Sequence, residues 1–342
     1  MKDEGPFILE WLAYNRLIGV TDFVIYTNDC SDGTVALLAA LQAAGLVQAL
    51  PNPAPPGKPL QMAALAAAQR LAVLREADWV FVTDVDEFLD IRAGAGRIPD
   101  LIAACGWPLA ISVPMRMMAN GGVADFADLP VVQQFTRSHA PEAWNGRAGI
   151  EVKTLTARGF PVKYLGVHRP FLRSGHDLRA CPVAWTDGTG RVVPRAFMLA
   201  ETRRRRYRLA AAGATEFASL RHYTLRSLDS YLVKSARGDA NRPNRRFGLG
   251  YWLARNDAAV AAPEMLRWLG PLQAEMARLR AVPGVAAAHE ACVARHRAMV
   301  AGLMARAEFR ALRAALVAAS PDLGGSGLVE GNWWTGLQDD DE

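Results

Sequence analysis

The chain has 342 residues, 51% of them hydrophobic, with 39 Lys and Arg against 34 Asp and Glu for a formal net charge of +5. That length exceeds the usual single-domain size and that composition supplies an ample core, so an α/β domain with an appended helical region is expected. Cys30, Cys105, Cys181 and Cys292 lie far apart with no C-x-x-C pair, which argues against a zinc ribbon or a disulfide-dense scaffold and for a reduced cytoplasmic chain.

The longest uncharged interval, 35–57, is interrupted by Gln42, Gln48 and several prolines and falls short of the roughly 20 apolar residues of a spanning helix. Met1-Lys2-Asp3-Glu4 lacks the basic region and apolar core of a signal peptide. The basic excess comes mainly from arginines of the second half, including Arg203-Arg204-Arg205-Arg206. Such a run suits nucleic acid, anionic lipid or a phosphorylated substrate, and its plainer role is a solvated helix face.

In chain order, Pro6 suits a first helical turn, and Phe7, Ile8, Trp11, Leu12 and Leu17 form one apolar helical face that Gly19 ends. A strand is expected over 22–27. The polar loop Asn28-Asp29-Cys30-Ser31-Asp32-Gly33-Thr34 then supplies capping side chains to a helix over 35–44. A short strand over 46–50, a proline-rich loop, a helix over 60–76 and a strand over 79–83 follow. Strand and helix alternate as in a doubly wound, mostly parallel sheet. Only five residues precede Pro6, so the expectation is that a first strand lies upstream of this chain. A further strand is expected over 109–113, with Met115-Arg116-Met117-Met118 running into a loop. An antiparallel pair over 152–156 and 162–167 is expected around Arg158-Gly159-Phe160-Pro161. From about 227 the pattern is helical, and the end from Asn332 to Glu342 reads as an acidic tail.

The most informative stretch is Trp79-Val80-Phe81-Val82-Thr83-Asp84-Val85-Asp86-Glu87-Phe88, an apolar run that stops at two aspartates one residue apart. The run reads as a buried central strand whose C-terminal end presents both carboxylates, where open α/β sheets bind ligands. Oxygen donors there suit Mg²⁺ or Mn²⁺, which takes one or two carboxylates plus substrate phosphates and waters. The plainer role of both is helix capping and loop solvation. Glu87 is either a supporting group or a surface carboxylate. Asn28, Asp29 and Asp32 end the earlier strand on the same side and can accept from a base or ribose hydroxyl, and they also build a turn and a cap. His168 and His222 are the candidate imidazoles to complete the cation's coordination, although a lone histidine is more often structural. Lys153, Lys234 and Arg237 can neutralise phosphate or be surface cations. An inverting transfer also needs a carboxylate base; Glu151 and Asp125 are available, and neither is selected.

Together, Lys2-Asp3-Glu4-Gly5-Pro6, Glu10-Trp11, Tyr14, Gly19-Val20, Tyr26-x-Asn28-Asp29-x-Ser31-Asp32-Gly33-Thr34 and Asp84-Val85-Asp86-Glu87-Phe88-Leu89 resemble the family-2-like glycosyltransferases of the GT-A fold. The set is similar also to family 92, which shares the Lys-x-Glu-Gly opening and the Asp-x-Asp-Glu-Phe core. Val167-His168-Arg169-Pro170, His222-Tyr223-x-x-Arg226-Ser227 and Lys234-x-x-Arg237-Gly238 resemble that group's later motifs, so the likeness covers roughly 1–240. The resemblance implies a GT-A-like domain over 1–220, a helical region over 221–330 and an acidic tail over 331–342. It implies transfer of a sugar from a nucleotide-sugar donor, commonly UDP-linked, to a glycan or other hydroxyl acceptor. Asp84 and Asp86 would hold Mn²⁺ or Mg²⁺, with His168 and His222 as further candidate ligands; Asn28, Asp29, Asp32 and Asp84 would lie near the nucleotide. Thr27 stands where an aspartate is often found, and the strand preceding Lys2 in the family is missing.

The Ala-rich, Arg-over-Lys composition suggests a GC-rich bacterial genome and polysaccharide synthesis in the cytoplasm or peripherally at the inner face of the membrane, with no nucleic-acid partner. Two alternatives remain at this point. A haloacid-dehalogenase-like phosphatase also uses Asp-x-Asp at a strand end, but on its first strand and with Thr or Val where Phe88 stands. A non-enzymatic basic scaffold or nucleic-acid-binding protein would be built on the Arg203 cluster, with no aromatic-interleaved basic motif to support it.

Overall fold

The structure, a computed structural model, describes residues 1–52, 59–140, 150–200, 208–209, 214–238 and 247–323. The Arg203–Arg206 run and the acidic tail lie outside the described residues. Pro6 sits in a 3-10 turn (Gly5–Phe7) that runs into α1 (Ile8–Leu17), and Gly19 closes the helix at φ 105°. The helix is buried on nearly every side rather than on the one face expected, because β4 packs on it from one side and α10 from another; both are placed below.

β1 (Val24–Thr27), α2 (Thr34–Ala43) and β2 (Gln48–Pro51) form a strand–helix–strand unit whose two strands pair in parallel. The helix expected over 60–76 is two, α3 (Leu60–Ala68) and α4 (Ala72–Glu76). The break lies at Leu71, whose ψ of 143° is extended, just after Gln69 turns its carboxamide oxygen to Leu165 N at 2.8 Å. β3 (Trp79–Phe81), β4 (Glu87–Ile91), α5 (Ile98–Ala104) and β5 (Ala110–Met117) follow. β5 runs through Met115 and Met117, which the expected strand excluded. Next come α6 (Val131–Gln134), β6 (Arg137–Ser138), β7 (Ile150–Ala157), β8 (Val162–Leu165), β9 (Pro170–Leu172), β10 (Trp185–Asp187), α7 (Arg195–Met198), β11 (Arg208–Leu209) and β12 (Ala218–His222). The chain continues with α8 (Leu228–Arg237), α9 (Leu249–Leu253), β13 (Val260–Ala261), α10 (Leu269–Arg280), α11 (Val285–Met304) and α12 (Ala307–Ala318).

Among the described residues the main sheet has seven strands, ordered β11-β7-β5-β12-β4, with β3 also on β7 and β10 also on β5. β5 runs parallel to β12 and β10, whereas β3–β7, β5–β7, β7–β11 and β4–β12 are antiparallel. The expected mostly parallel sheet is therefore corrected to a mixed one. The reason is non-local: β3, β4 and β5 do not pair with one another, because β7 inserts antiparallel between β3 and β5, and β12 between β5 and β4. The strand expected over 79–83 is likewise not a buried central one. β3 has three half-buried residues and bonds β7. β8 pairs with β9 rather than with the strand before the Gly/Pro turn, since β7 is already taken on both edges.

The core is continuous from the sheet into the last helices. Ile8, Leu12, Val113 and Leu220 are fully buried in one cluster with Leu272, Val285 and Cys292. β12 spans the expected boundary at 220 and carries the sheet directly into the helical region. That region is helical as expected, and Leu228, Tyr231 and Leu232 of α8 are buried against Trp252, Leu303 and Leu316. No helix among the described residues is long and apolar enough to cross a membrane.

Candidate active site

The two aspartates lie in the tight turn between β3 and β4. Glu87 N donates to Asp84 O at 3.1 Å, and Val85, between the aspartates, is 5% exposed and anchors the turn in the core. Asp84 leaves 46% of its side chain exposed and Asp86 13%. Glu87 braces the turn from beneath: its Oε2 accepts from Asp84 N at 2.9 Å and Thr83 Oγ1 at 3.2 Å. Tyr223 N donates to Asp86 O at 2.7 Å, so the end of β12 is fastened to the turn.

Each aspartate faces an ammonium. Lys153, on β7 and 1% exposed, donates to Asp84 Oδ2 at 3.0 Å and pairs with Glu87 Oε2 at 3.1 Å. Lys234, on α8, reaches Asp86 Oδ2 at 3.3 Å while donating to Thr224 O at 2.9 Å and Thr224 Oγ1 at 2.6 Å. Ser227 Oγ caps α8 by accepting from Ser230 N at 3.2 Å, which fixes the helix that carries Lys234. His222 Nε2 lies 3.6 Å from Asp86 Oδ2, and its Nδ1 is buried without a hydrogen-bond partner among the described residues. Burial opposes ionisation of both aspartates. Lys153 outweighs it at Asp84, and Lys234 with His222 outweighs it further at Asp86, so both carboxyls are held below their usual range. Burial pushes Glu87 up to about 7 against the pull of Lys153.

His168 lies between β8 and β9 with Nδ1 at 3.0 Å from Val152 O, which places the proton on that nitrogen. Burial, with Lys153 nearby, lowers its pKa to about 4, so the imidazole is neutral. Glu151 is two residues before Lys153 on the same face of β7 and pairs with Arg208 at 3.6 Å. His168, Arg255, Arg208 and His222 overcome its burial and keep it ionised. Asp125 is exposed, and its electrostatic influence falls on Asp229. Of the two carboxylates open as a base, only Glu151 therefore stands in the field of the site histidines.

On the other flank, Glu4 is 7% exposed and accepts from Arg226 Nη1 at 2.8 Å, with Arg237 on its second oxygen. This cluster adjoins Asp86 across a small cavity that Asp3, Lys234 and His296 also line. Asn28 Oδ1 accepts from Asn52 Nδ2 at 3.0 Å, Asn52 Nδ2 also donates to Leu60 O at 2.9 Å, and the next residue, Gln61, reaches Asp84 Oδ1 at 3.5 Å. The end of β1 and the aspartate turn thus share one side of the fold. Asp29 is exposed in the left-handed region at φ 40°. Asp32 is fully buried and accepts from Gly5 N at 2.8 Å and Thr34 N at 2.9 Å, contacts that tie the N-terminal turn to α2.

Asp84, Asp86 and His222 come together, then, and His168 stands beyond Lys153. Among the described residues no three His, Cys, Asp or Glu side chains converge on one cation position. Two carboxylates nevertheless fit Mg²⁺ or Mn²⁺, which draws its other ligands from phosphate oxygens and water. Sequence reasoning passed over Thr224, Gln61 and the bracing of Lys153 by Glu87, because each depends on contacts between distant segments.

The mixed α/β fold and the charge-dense turn are compatible with an α/β glycosyltransferase, and residues 4–117 match the model of a glycosyltransferase family, which supports a glycosyltransferase. That family is glycosyltransferase family 92, and the match spans Glu4, Asn28, Asp32, Asp84, Asp86 and Glu87. No curated protein matches the chain.

Proposed function

We propose that this protein transfers a sugar from a nucleotide-sugar, UDP-linked, to a hydroxyl of a glycan acceptor, with Mn²⁺ or Mg²⁺ held by Asp84 and Asp86. The observation that carries the reading is the partly exposed Asp84–Asp86 turn set between two anchored ammonium groups within the region matching family 92. In the transfer the acceptor oxygen bonds to the anomeric carbon, and the bond from that carbon to the diphosphate breaks with its electron pair on the leaving oxygen. A bound divalent cation supplies Lewis-acid stabilisation of that oxygen. Lys153 and Lys234 add fixed positive charge where negative charge develops and need little reorganisation. Asn28 and Asp29 stand on the side where the base and ribose would lie. In an inverting transfer, Glu151 accepts the acceptor hydroxyl's proton.

The test is calorimetric titration of UDP into the protein with Mn²⁺, beside a folded Asp84→Ala/Asp86→Ala variant. Metal-dependent binding that the variant loses supports the reading and justifies screening UDP-sugars. Absence of UDP binding by the unaltered protein overturns it.

A further inference from the structure

We infer that Lys153 and Lys234 act as resident counter-cations that close the Asp84–Asp86 pair to a free divalent cation, so that the cation enters as its complex with a nucleoside diphosphate. The inference rests on the nucleotide reading above and adds an order of binding to it.

Both ammonium groups are held by partners other than the aspartates. Lys153 is anchored on Glu87 Oε2 at 3.1 Å, and Glu87 is itself held by Asp84 N and Thr83. Lys234 is anchored on the carbonyl and hydroxyl of Thr224 at 2.9 and 2.6 Å, and its Nζ lies 5.5 Å from the Phe247 ring centroid and 5.8 Å from that of Tyr251. Neither lysine is a loose surface cation that swings away at no cost. A cation bonded at about 2.1 Å to Asp86 Oδ2, which already has Lys234 Nζ at 3.3 Å, would sit within about 5.4 Å of that ammonium. The corresponding limit at Asp84 Oδ2, 3.0 Å from Lys153 Nζ, is about 5.1 Å.

Each aspartate already has an ammonium against it, with the Glu87 carboxyl and the His222 imidazole at their backs. A free dication would add its two positive charges beside both ammonium groups in a half-buried turn, which like-charge repulsion opposes. A diphosphate reverses the balance, because its oxygens ligate the cation and accept from the ammonium groups together. Cation and nucleotide affinities are then coupled, and each raises the other by the same factor.

The experiment measures Mn²⁺ binding to the full chain from the paramagnetic resonance signal of free Mn²⁺, alone and with saturating UDP, and repeats it on Lys234→Met. In the unaltered protein UDP raises Mn²⁺ affinity by at least about tenfold. Lys234→Met binds Mn²⁺ alone at least about tenfold tighter than the unaltered protein and gains less from UDP. Lys234→Gln, which can still donate to Thr224, shows the same direction if the methionine variant does not fold. Equal Mn²⁺ affinity with and without bound UDP overturns the inference, and so does a folded Lys234 variant with unaltered affinity for Mn²⁺ alone. If UDP binds under no condition, the nucleotide reading fails, while the comparison in Mn²⁺ alone still decides what Lys234 does.

Discussion

Replacing Lys153 by methionine removes the one ammonium shared by Asp84 and Glu87. Lys153 is 1% exposed and Glu87 2%, so the variant leaves a buried carboxylate without its counter-charge. Removing one partner of a buried pair costs roughly 3–5 kcal/mol. Asp84 is 46% exposed and is rehydrated, which puts the expected loss near the lower end, about 3 kcal/mol. At about 2 °C per kcal/mol for a long chain, the melting temperature falls by about 6 °C. The loss depends on pH in a definite sense. Burial already pushes the Glu87 carboxyl to about 7 with Lys153 present, and losing the lysine raises it further. A carboxyl whose folded pKa exceeds its unfolded value near 4.5 binds more protons in the folded state, so stability falls as pH rises from 4.5 through the folded value. Urea unfolding should therefore show a small deficit near pH 5 that widens as pH rises past about 7 and is complete only above the variant's further-raised Glu87 value. The double variant Lys153→Met/Glu87→Gln, with no buried charge left to neutralise, should regain part of the loss at pH 8. A deficit below about 1 kcal/mol at pH 8, or a double variant less stable than Lys153→Met, refutes the reasoning.

His222→Gln tests the Asp86 contact. Burial alone would lower the imidazole, but the negative charge of Asp86 beside it outweighs that and raises the pKa from its usual value. The stabilisation is then full below pH 6.5 and lost as pH rises through the raised value. The melting-temperature gap between unaltered protein and variant should be wider at pH 5.5 than at pH 8.5, and equal gaps contradict the assignment. Glu151→Gln, if Glu151 is the base of an inverting transfer, should lower kcat by about 10²–10⁴-fold while UDP binding stays intact. Unchanged turnover removes Glu151 from that role.

What the sequence made legible was local. Asp84 and Asp86 after an apolar run announced a strand-end turn, Pro6 and Gly19 bracketed the first helix, and Ser227 marked the start of α8. What stayed hidden depends on pairing between distant segments. Strand–helix alternation gives no sign that β7 and β12 thread antiparallel between β3, β5 and β4. That insertion is what brings Lys153 under Asp84 and His222 beside Asp86. A lone lysine in a strand pattern looks alike whether it meets water or a carboxylate. Asp32 shows the converse: its place in a polar loop offered both a nucleotide contact and a turn-and-cap role, and the structure shows the second, with its buried carboxylate accepting from Gly5 N and Thr34 N.

The charge layout also explains why the helical region is integral to the site. The acidic half, Glu4, Asp84, Asp86 and Glu87, lies within residues 4–117, the region matching family 92. The basic half, Lys153, His222, Arg226, Lys234 and Arg237, lies wholly beyond it. Glu4 and Glu87 are 7% and 2% exposed, and buried carboxylates of this kind require partners. Arg226 and Arg237, at the start and end of the α8 segment, both close on Glu4, while Lys234 between them closes on Asp86. The N-terminal turn, the aspartate turn and α8 are therefore held in one electrostatic unit. On the proposed function, Asp84 and Asp86 would supply the oxygen donors of this unit, and Lys153 and Lys234 would set how readily a cation or a diphosphate reaches them.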